Sequence, residues 1–281
     1  SRAVPAGLEV YDLLTRIIVA VVLAPLFFVV LFFLDSIWLA ALMAAICAMA
    51  SFELLRATKV AHHNGMYFFT ALAAAAIPVG CWLGLGYLVV PMAAVFLMLT
   101  LFGIAIRLYD EERAVRVEDV FMCMFGGLVI PMCLSALVQL KCMDHGQYLV
   151  LLPVICAFLT DAGAYFAGVF LGKHRGITKV SPNKSLEGYI GGILSGGIFL
   201  LLYGVILQQF AGLTVSLPIM AVYGLIGSAV TEVGDLSFSL IKRQFGIKDY
   251  GDLLPGMLDR FDSMTFAAPT LLILVSLIPA F

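Results

Sequence analysis

Charge is scarce in this chain. Only 16 Lys and Arg and 18 Asp and Glu stand among 281 residues, 12% of the total, where soluble domains carry about a quarter. With 63% hydrophobic residues and a mean hydropathy of +1.08, this excludes a soluble globular domain and implies a multi-pass membrane protein. The six cysteines show no metal-ligand spacing and five lie in apolar runs, so a disulfide framework and a cysteine-based zinc site are both excluded. There is no Walker A loop, no G-x-S-x-G and no H-E-x-x-H, which removes the P-loop, nucleophile-elbow and zincin chemistries. The few basic residues are scattered among loops without interleaved aromatics, so no nucleic-acid partner is expected.

What the chain does have is long apolar runs. They predict an all-α polytopic fold of about nine transmembrane helices, at 17–34, 37–55, 67–84, 85–106, 120–140, 147–171, 189–207, 217–241 and 264–281. The first run lacks an A-x-A cleavage site and another span follows at once, so it reads as a retained helix. Adjacent His62 and His63 fall on different helix faces and read as part of a solvated loop. Residues 1–119 form an N-terminal membrane region with a charged connection at 107–119, and residues 120–281 a C-terminal region carrying the chemistry. Nine spans with a cytoplasmic N-terminus place every Lys and Arg except Lys141 on the inner side. That orientation sends the loops after the sixth and eighth spans, 172–188 and 242–263, to the cytoplasm of a cell inner membrane.

The eighth span is the unusual one. Ser228, Glu232, Asp235, Ser239 and Lys242 recur at alternating four- and three-residue steps, which puts them on one helix face. A carboxylate deep in a bilayer helix costs about 2.5–3.5 kcal/mol on insertion scales. Asp235 lies about 9 Å below a helix end at Ile241, at roughly 1.5 Å per residue. Its charge calls for a metal ion, a Lys or Arg, or a water-filled cavity; a buried ion pair without chemistry would also satisfy it. Asp161 in the sixth span is a second such carboxylate, on a face shared with Tyr165, Gly168 and Gly172.

At the ends of the last four spans, Asp161, Glu187, Asp235, Asp249, Asp252, Asp259 and Asp262 gather near Lys173, Lys179, Lys184, Lys242, Arg243, Lys248 and Arg260. Carboxylates hold Mg2+, which bridges substrate phosphates, while basic groups neutralise phosphate oxygens. Two cations, if both bind, clamp the attacking and leaving oxygens. The pair in D-R-F-D, Asp259 and Asp262, suits a metal at a helix start, or serves only the helix dipole.

The order of segments is specific. S-L-I-K-R-Q-F-G-I-K-D (239–249), L-L-P-G, then L-D-R-F-D-S (258–263), preceded by T-D-A-G-A-Y-F-A-G (160–168) and S-P-N-K-S-L-E-G (181–188), resembles the phosphatidate cytidylyltransferase (CDP-diacylglycerol synthase) family over about 150–265. The earlier spans match in hydropathy alone. The family pattern continues L-P-G with H-G-G, whereas here Gly256 runs directly into Met257, about three residues shorter.

The resemblance implies an Mg2+-dependent membrane enzyme, a second cation being an option, that makes CDP-diacylglycerol and pyrophosphate from CTP and phosphatidic acid, as a homodimer. It implies Asp235, Asp259 and Asp262 as metal ligands. Lys242, Arg243, Lys248 and Arg260 would grip phosphates, with Asp249 beside them in the catalytic loop. Ser181, Lys184 and Glu187 would line the nucleotide side, Asp161 would support the site, and Lys173 and Ser239 complete the substrate-binding candidates. Two other readings remain open at this point. One is an ion-coupled secondary transporter using Asp161, Glu232 and Asp235; the other is a related CTP-dependent lipid kinase or cytidylyltransferase acting on another lipid phosphate.

Overall fold

A computed structural model describes residues 24–110, 114–251 and 256–280. The start of the first predicted span, part of the charged connection and Asp252 lie outside the described residues. Among those described there is no strand, and the chain is a bundle of helices whose ends follow the apolar runs. They are α1 Ala24–Phe32, α2 Ser36–Thr58, α3 Asn64–Trp82, α4 Gly86–Arg107, α5 Val117–Met124, α6 Ile130–Leu134, α7 Ala136–Cys142, α8 Gly146–Leu149, α9 Leu151–Phe170, α10 Leu186–Phe210, α11 Leu217–Gln244 and α12 Met257–Leu277.

Among the described residues, eight stretches are long and apolar enough to cross a membrane, and they coincide with predicted spans two to nine. One span is interrupted. Between α5 and α6, Phe125–Val129 forms a π turn. Pro131 offers no N–H to the carbonyl one turn before it, so the hydrogen-bond register slips there. Gly126 permits the slip to pack closely: its carbonyl accepts from Ser51 Oγ of α2 at 2.5 Å.

Most predicted ends shift by three residues or fewer, and two of the shifts bear on the polar end of the bundle. The eighth span continues three residues past Ile241, to Gln244. The ninth begins at Met257, seven residues before the predicted 264. D-R-F-D therefore lies at a helix start, as its spacing suggests, and that helix is the membrane span itself.

The largest buried cluster draws on α1 to α3, on α5 to α7 and on Leu258, Phe261, Met264, Ala267 and Ala268 of α12, so both halves of the chain share one core. A smaller cluster at the far end joins Leu140, Leu200, Tyr223 and Leu271. Helices α9, α10 and α11 approach through small residues. A Cβ added to Gly196 would lie 1.7 Å from Ser228 Oγ, and one on Gly224 would lie 2.4 Å from the Gly196 carbonyl oxygen. No side chain larger than hydrogen fits at that crossing. Around this core, apolar side chains such as Trp38, Leu99, Phe170, Leu194 and Phe210 stand exposed on the bundle's outside, as lipid-facing residues do.

Candidate active site

The polar side chains collect at one end of the bundle, where α2, α9 and α11 finish and α10 and α12 begin. The loop between α9 and α10 is folded back on itself. Arg175 pairs with Ser185 across it, and Gly176 takes the left-handed backbone (φ 75°) that the turn requires. Glu187, in the first turn of α10, clasps the loop's start: its carboxylate accepts from the backbone N–H groups of Lys173 (3.1 Å) and His174 (3.2 Å) and meets His174 Nδ1 at 2.6 Å. Ser185 caps α10 through the Gly188 N–H at 3.1 Å.

This folding aims Lys184 inward. Its ammonium reaches Asp235 Oδ2 at 2.5 Å and Glu232 Oε2 at 2.8 Å, both on α11, and lies 5.2 Å above the Tyr189 ring. The intramembrane carboxylates are thus compensated by a lysine delivered from the loop. Glu232 is only 3% exposed, and its Oε1 has no hydrogen-bond partner among the described residues. Deeper on the same face, Ser228 accepts from Thr160 Oγ1 at 2.7 Å, which ties α11 to α9. Burial pulls the Lys184 ammonium toward its neutral form, yet Asp235 and Glu232 together hold its pKa above the ordinary lysine value.

A second lysine meets a second acid. Lys242 Nζ, near the end of α11, is 2.8 Å from Asp259 Oδ1, and Asp259 Oδ2 accepts the Tyr250 N–H at 2.8 Å. Tyr250 is locked in turn by its hydroxyl, which donates to the Phe238 carbonyl at 3.0 Å. One turn along α12, Asp262 is 8% exposed, with Oδ1 accepting from the Ser263 N–H at 2.7 Å. Ser263 Oγ donates to Asp161 Oδ2 on α9 at 3.2 Å. Asp262 lies within electrostatic reach of Asp235, Lys242 and Asp161.

Asp161, Lys184, Asp235, Lys242, Asp259 and Asp262 therefore converge on the space between α9, α11 and α12. Asp161 itself is exposed. The remaining candidates stand at its rim. Arg243, Lys248, Asp249 and Arg260 are exposed; Arg243 donates from Nε to the Val180 carbonyl at 3.3 Å and so fastens the α9–α10 loop to α11. Ser239 is half-buried on the polar face of α11, and Ser181 is half-buried in the loop. Glu187 and the Lys173 backbone are engaged with each other, organising the loop.

Among the described residues, no three Asp, Glu, His or Cys side chains come close enough together to form a ready-made metal cage. Of the trio Asp235, Asp259 and Asp262, Asp235 is engaged by Lys184, and Asp259 by Lys242 and Tyr250. The donors present are all oxygens, which suits Mg2+. That ion is commonly held by one or two carboxylates plus substrate phosphates and not by an all-protein cage.

Two pairings escape the sequence reading. Glu232 is visible on the polar face, but its pairing with Lys184 depends on the fold of a loop 48 residues away. Glu53 is visible as a lone acid near the end of an apolar span; its partners are the first N–H groups of α12, 204 and 205 residues on.

The sequence pattern of the cytidylyltransferase family matches residues 14–278. A phosphatidate cytidylyltransferase of Thermotoga maritima is 31% identical across 92% of this chain and 94% of its own length. Relatives of the same name from Bacillus subtilis (34% identical, 57% of this chain and 60% of the relative) and Staphylococcus epidermidis (38%, 47% and 50%) align over shorter stretches. The chain spans about half the length of the staphylococcal relatives it matches. A pattern that runs from ahead of α1 to the end of α12, taking in every acid and lysine of the site, makes this chain a member of the cytidylyltransferase family.

Proposed function

We propose that the protein is a phosphatidate cytidylyltransferase, an integral membrane enzyme that joins CTP and phosphatidic acid to give CDP-diacylglycerol and pyrophosphate. The observation that carries this reading is the gathering of Lys184 from the α9–α10 loop with Asp235, Lys242 and Asp262 of α11 and α12 at one end of the bundle, in a chain of this family. Two substrates that are both polyanions need such a mixture of acids and bases.

The phosphate of phosphatidic acid has a second pKa of about 6, so at neutral pH it is mostly a dianion and needs no general base to attack. The work of the site is then to bring two like-charged groups together in line. Lys184 and Lys242, each resting on a carboxylate, are positioned to exchange those partners for phosphate oxygens. Arg243, Lys248 and Arg260 draw the triphosphate toward the rim. Asp235 and Asp262 would hold Mg2+, with Asp161 beside them and Asp259 available once it releases Lys242. Those carboxylates would hold the ion beside the substrate phosphates, where its charge would offset that growing on the departing pyrophosphate. The acyl chains stay in the bilayer while the lipid head reaches the site from the side.

The sidedness of the basic residues supports a cytoplasmic site in a bacterial plasma membrane, and the resemblance supports a homodimer. The deciding experiment incubates purified protein with labelled CTP, phosphatidic acid and Mg2+. CDP-diacylglycerol and pyrophosphate in equal amounts are expected. Transfer of a phosphate group to lipid, or solute flux without consumption of CTP, would overturn the assignment.

A further inference from the structure

Helix α12 starts without a cap of its own. The first N–H groups of any helix lack intrahelical acceptors, and an N-cap side chain usually serves one of them. Here the N-cap is Gly256, which has no side chain, at φ 27°. A Cβ at that position would come 2.3 Å from Asp259 Oδ2, so a capping Ser, Thr or Asp has no room. An acid at the third helical position often reaches back to the N-cap amide. Asp259 occupies that position but faces Lys242 and the Tyr250 N–H instead.

The cap is supplied from α2. Glu53 Oε1 accepts the Met257 N–H at 3.1 Å, and Oε2 accepts the Leu258 N–H at 2.9 Å. Each oxygen takes one amide, so the carboxylate fixes the direction of the helix start as well as its position. Charge-assisted bonds of this kind are roughly twice as strong as neutral ones, and a negative charge suits the positive end of the helix. Glu53 is itself well anchored, because the next two residues, Leu54 and Leu55, are fully buried in the shared core.

We propose that Glu53, outside the motif region, is a positioning residue for the reaction: it sets the rotation and height of the first turns of α12 and so aims Asp259 and Asp262 into the site. This rests on the reading of those two acids as site residues. Glu53 takes the Met257 and Leu258 amides, and Asp259 meanwhile holds Lys242 and the Tyr250 N–H.

The test compares full-length wild type with Glu53→Ala, Glu53→Gln and Glu53→Asp in lipid nanodiscs. It follows hydrogen exchange in peptides covering 251–262 together with kcat and KM for CTP. In Glu53→Ala, exchange at Met257 and Leu258 is expected to rise at least about tenfold while the other spans stay protected. Its kcat per folded molecule is expected to fall by about ten- to a hundredfold. Glu53→Gln, the same length with one acceptor oxygen, should recover more than Glu53→Asp, which keeps the charge but is one methylene short. A merely structural role would lower thermal stability in all three without that ranking and with kcat per folded molecule unchanged, and would overturn the proposal. So would unchanged exchange at 257 and 258 in an active Glu53→Ala enzyme. If Glu53→Ala does not fold, the near-isosteric Glu53→Gln carries both readouts. A wild type that consumes no CTP would instead sink the functional assignment, and the exchange measurement would still decide whether Glu53 caps α12.

Discussion

Lys184 is the side chain on which the acidic face of α11 depends. Remove its ammonium and Glu232 and Asp235 stand three residues apart on one helix, largely out of water, repelling each other. Breaking a fully buried pair costs about 3–5 kcal/mol. Lys184 keeps 27% exposure, so a loss nearer ~2–3 kcal/mol is expected for Lys184→Met. Thermal unfolding in detergent measures it, and Lys184→Arg should retain most of the stability. The pH dependence has a definite sign. A lysine whose folded pKa lies above its unfolded value of about 10.4 contributes its full stabilisation below that value. The contribution is lost only as pH rises through the higher folded value. Stability attributable to Lys184 should therefore be flat from neutrality to about pH 10. A decline of the difference between wild type and Lys184→Met within that range would contradict the pairing. Asp262→Asn keeps size and shape but removes the charge facing Asp235 and Lys242, and Lys242→Ala frees Asp259. Each should lower turnover by at least about a hundredfold, near ~2.7 kcal/mol in the barrier, with the bundle still folded. Near-normal CDP-diacylglycerol synthesis by either variant would remove that residue from the core of the site.

At the scale of elements, the crossing of α10 and α11 is set by what is missing from Gly196. Gly196→Ala would drive a methyl into Ser228 Oγ and push the two helices apart. One turn earlier on α10, Gly192 is under the same limit, since a Cβ there would sit 2.7 Å from Glu232 Oε1. A loss of about 1–3 kcal/mol is expected from the overpacking in Gly196→Ala. Adding Ser228→Gly should return part of it, as read from the thermal midpoints of the single and double variants. The helices are largely legible in the sequence, because a run of apolar residues long enough to cross a bilayer has few other stable forms. Their polar ends are less so. Hydropathy stops at the first cluster of charges, which is why the apolar pattern starts α12 only at 264. The charges in D-R-F-D are helical because Lys242, Tyr250 and Glu53 satisfy that end from elsewhere in the chain, and no local pattern announces them. The same holds for the site. The acids and bases can be picked out by type and spacing, whereas the pairing of Lys184 with α11 follows from a loop folded by Glu187, Gly176 and Arg175.

For the whole molecule, the distribution of basic residues makes a prediction about sides. Lys141 is the one basic residue that the nine-span topology assigns to the outer face. Its neighbour Cys142 is the exposed member of the six cysteines, the others being buried or half-buried. In intact spheroplasts an impermeant maleimide should label the protein at Cys142, and Cys142→Ser should abolish the labelling. Labelling confined to inside-out vesicles would reverse the proposed orientation and place the acidic end outside the cell. The far end of the bundle, where the Ser216 N–H meets the Ala280 carbonyl at 2.8 Å and Lys141 meets the Leu31 carbonyl at 2.5 Å, carries none of the candidate site residues.

The hydrophobic interior built jointly by the first helices and α12 bears on how such a protein can be taken apart. A gene fragment encoding only 120–281 would carry every motif residue, yet its product would bare an oily flank and an unanchored last helix. That half is not a portable cassette. Expressed together as two polypeptides, 1–119 and 120–281 should find each other in the membrane and regain turnover that neither shows alone.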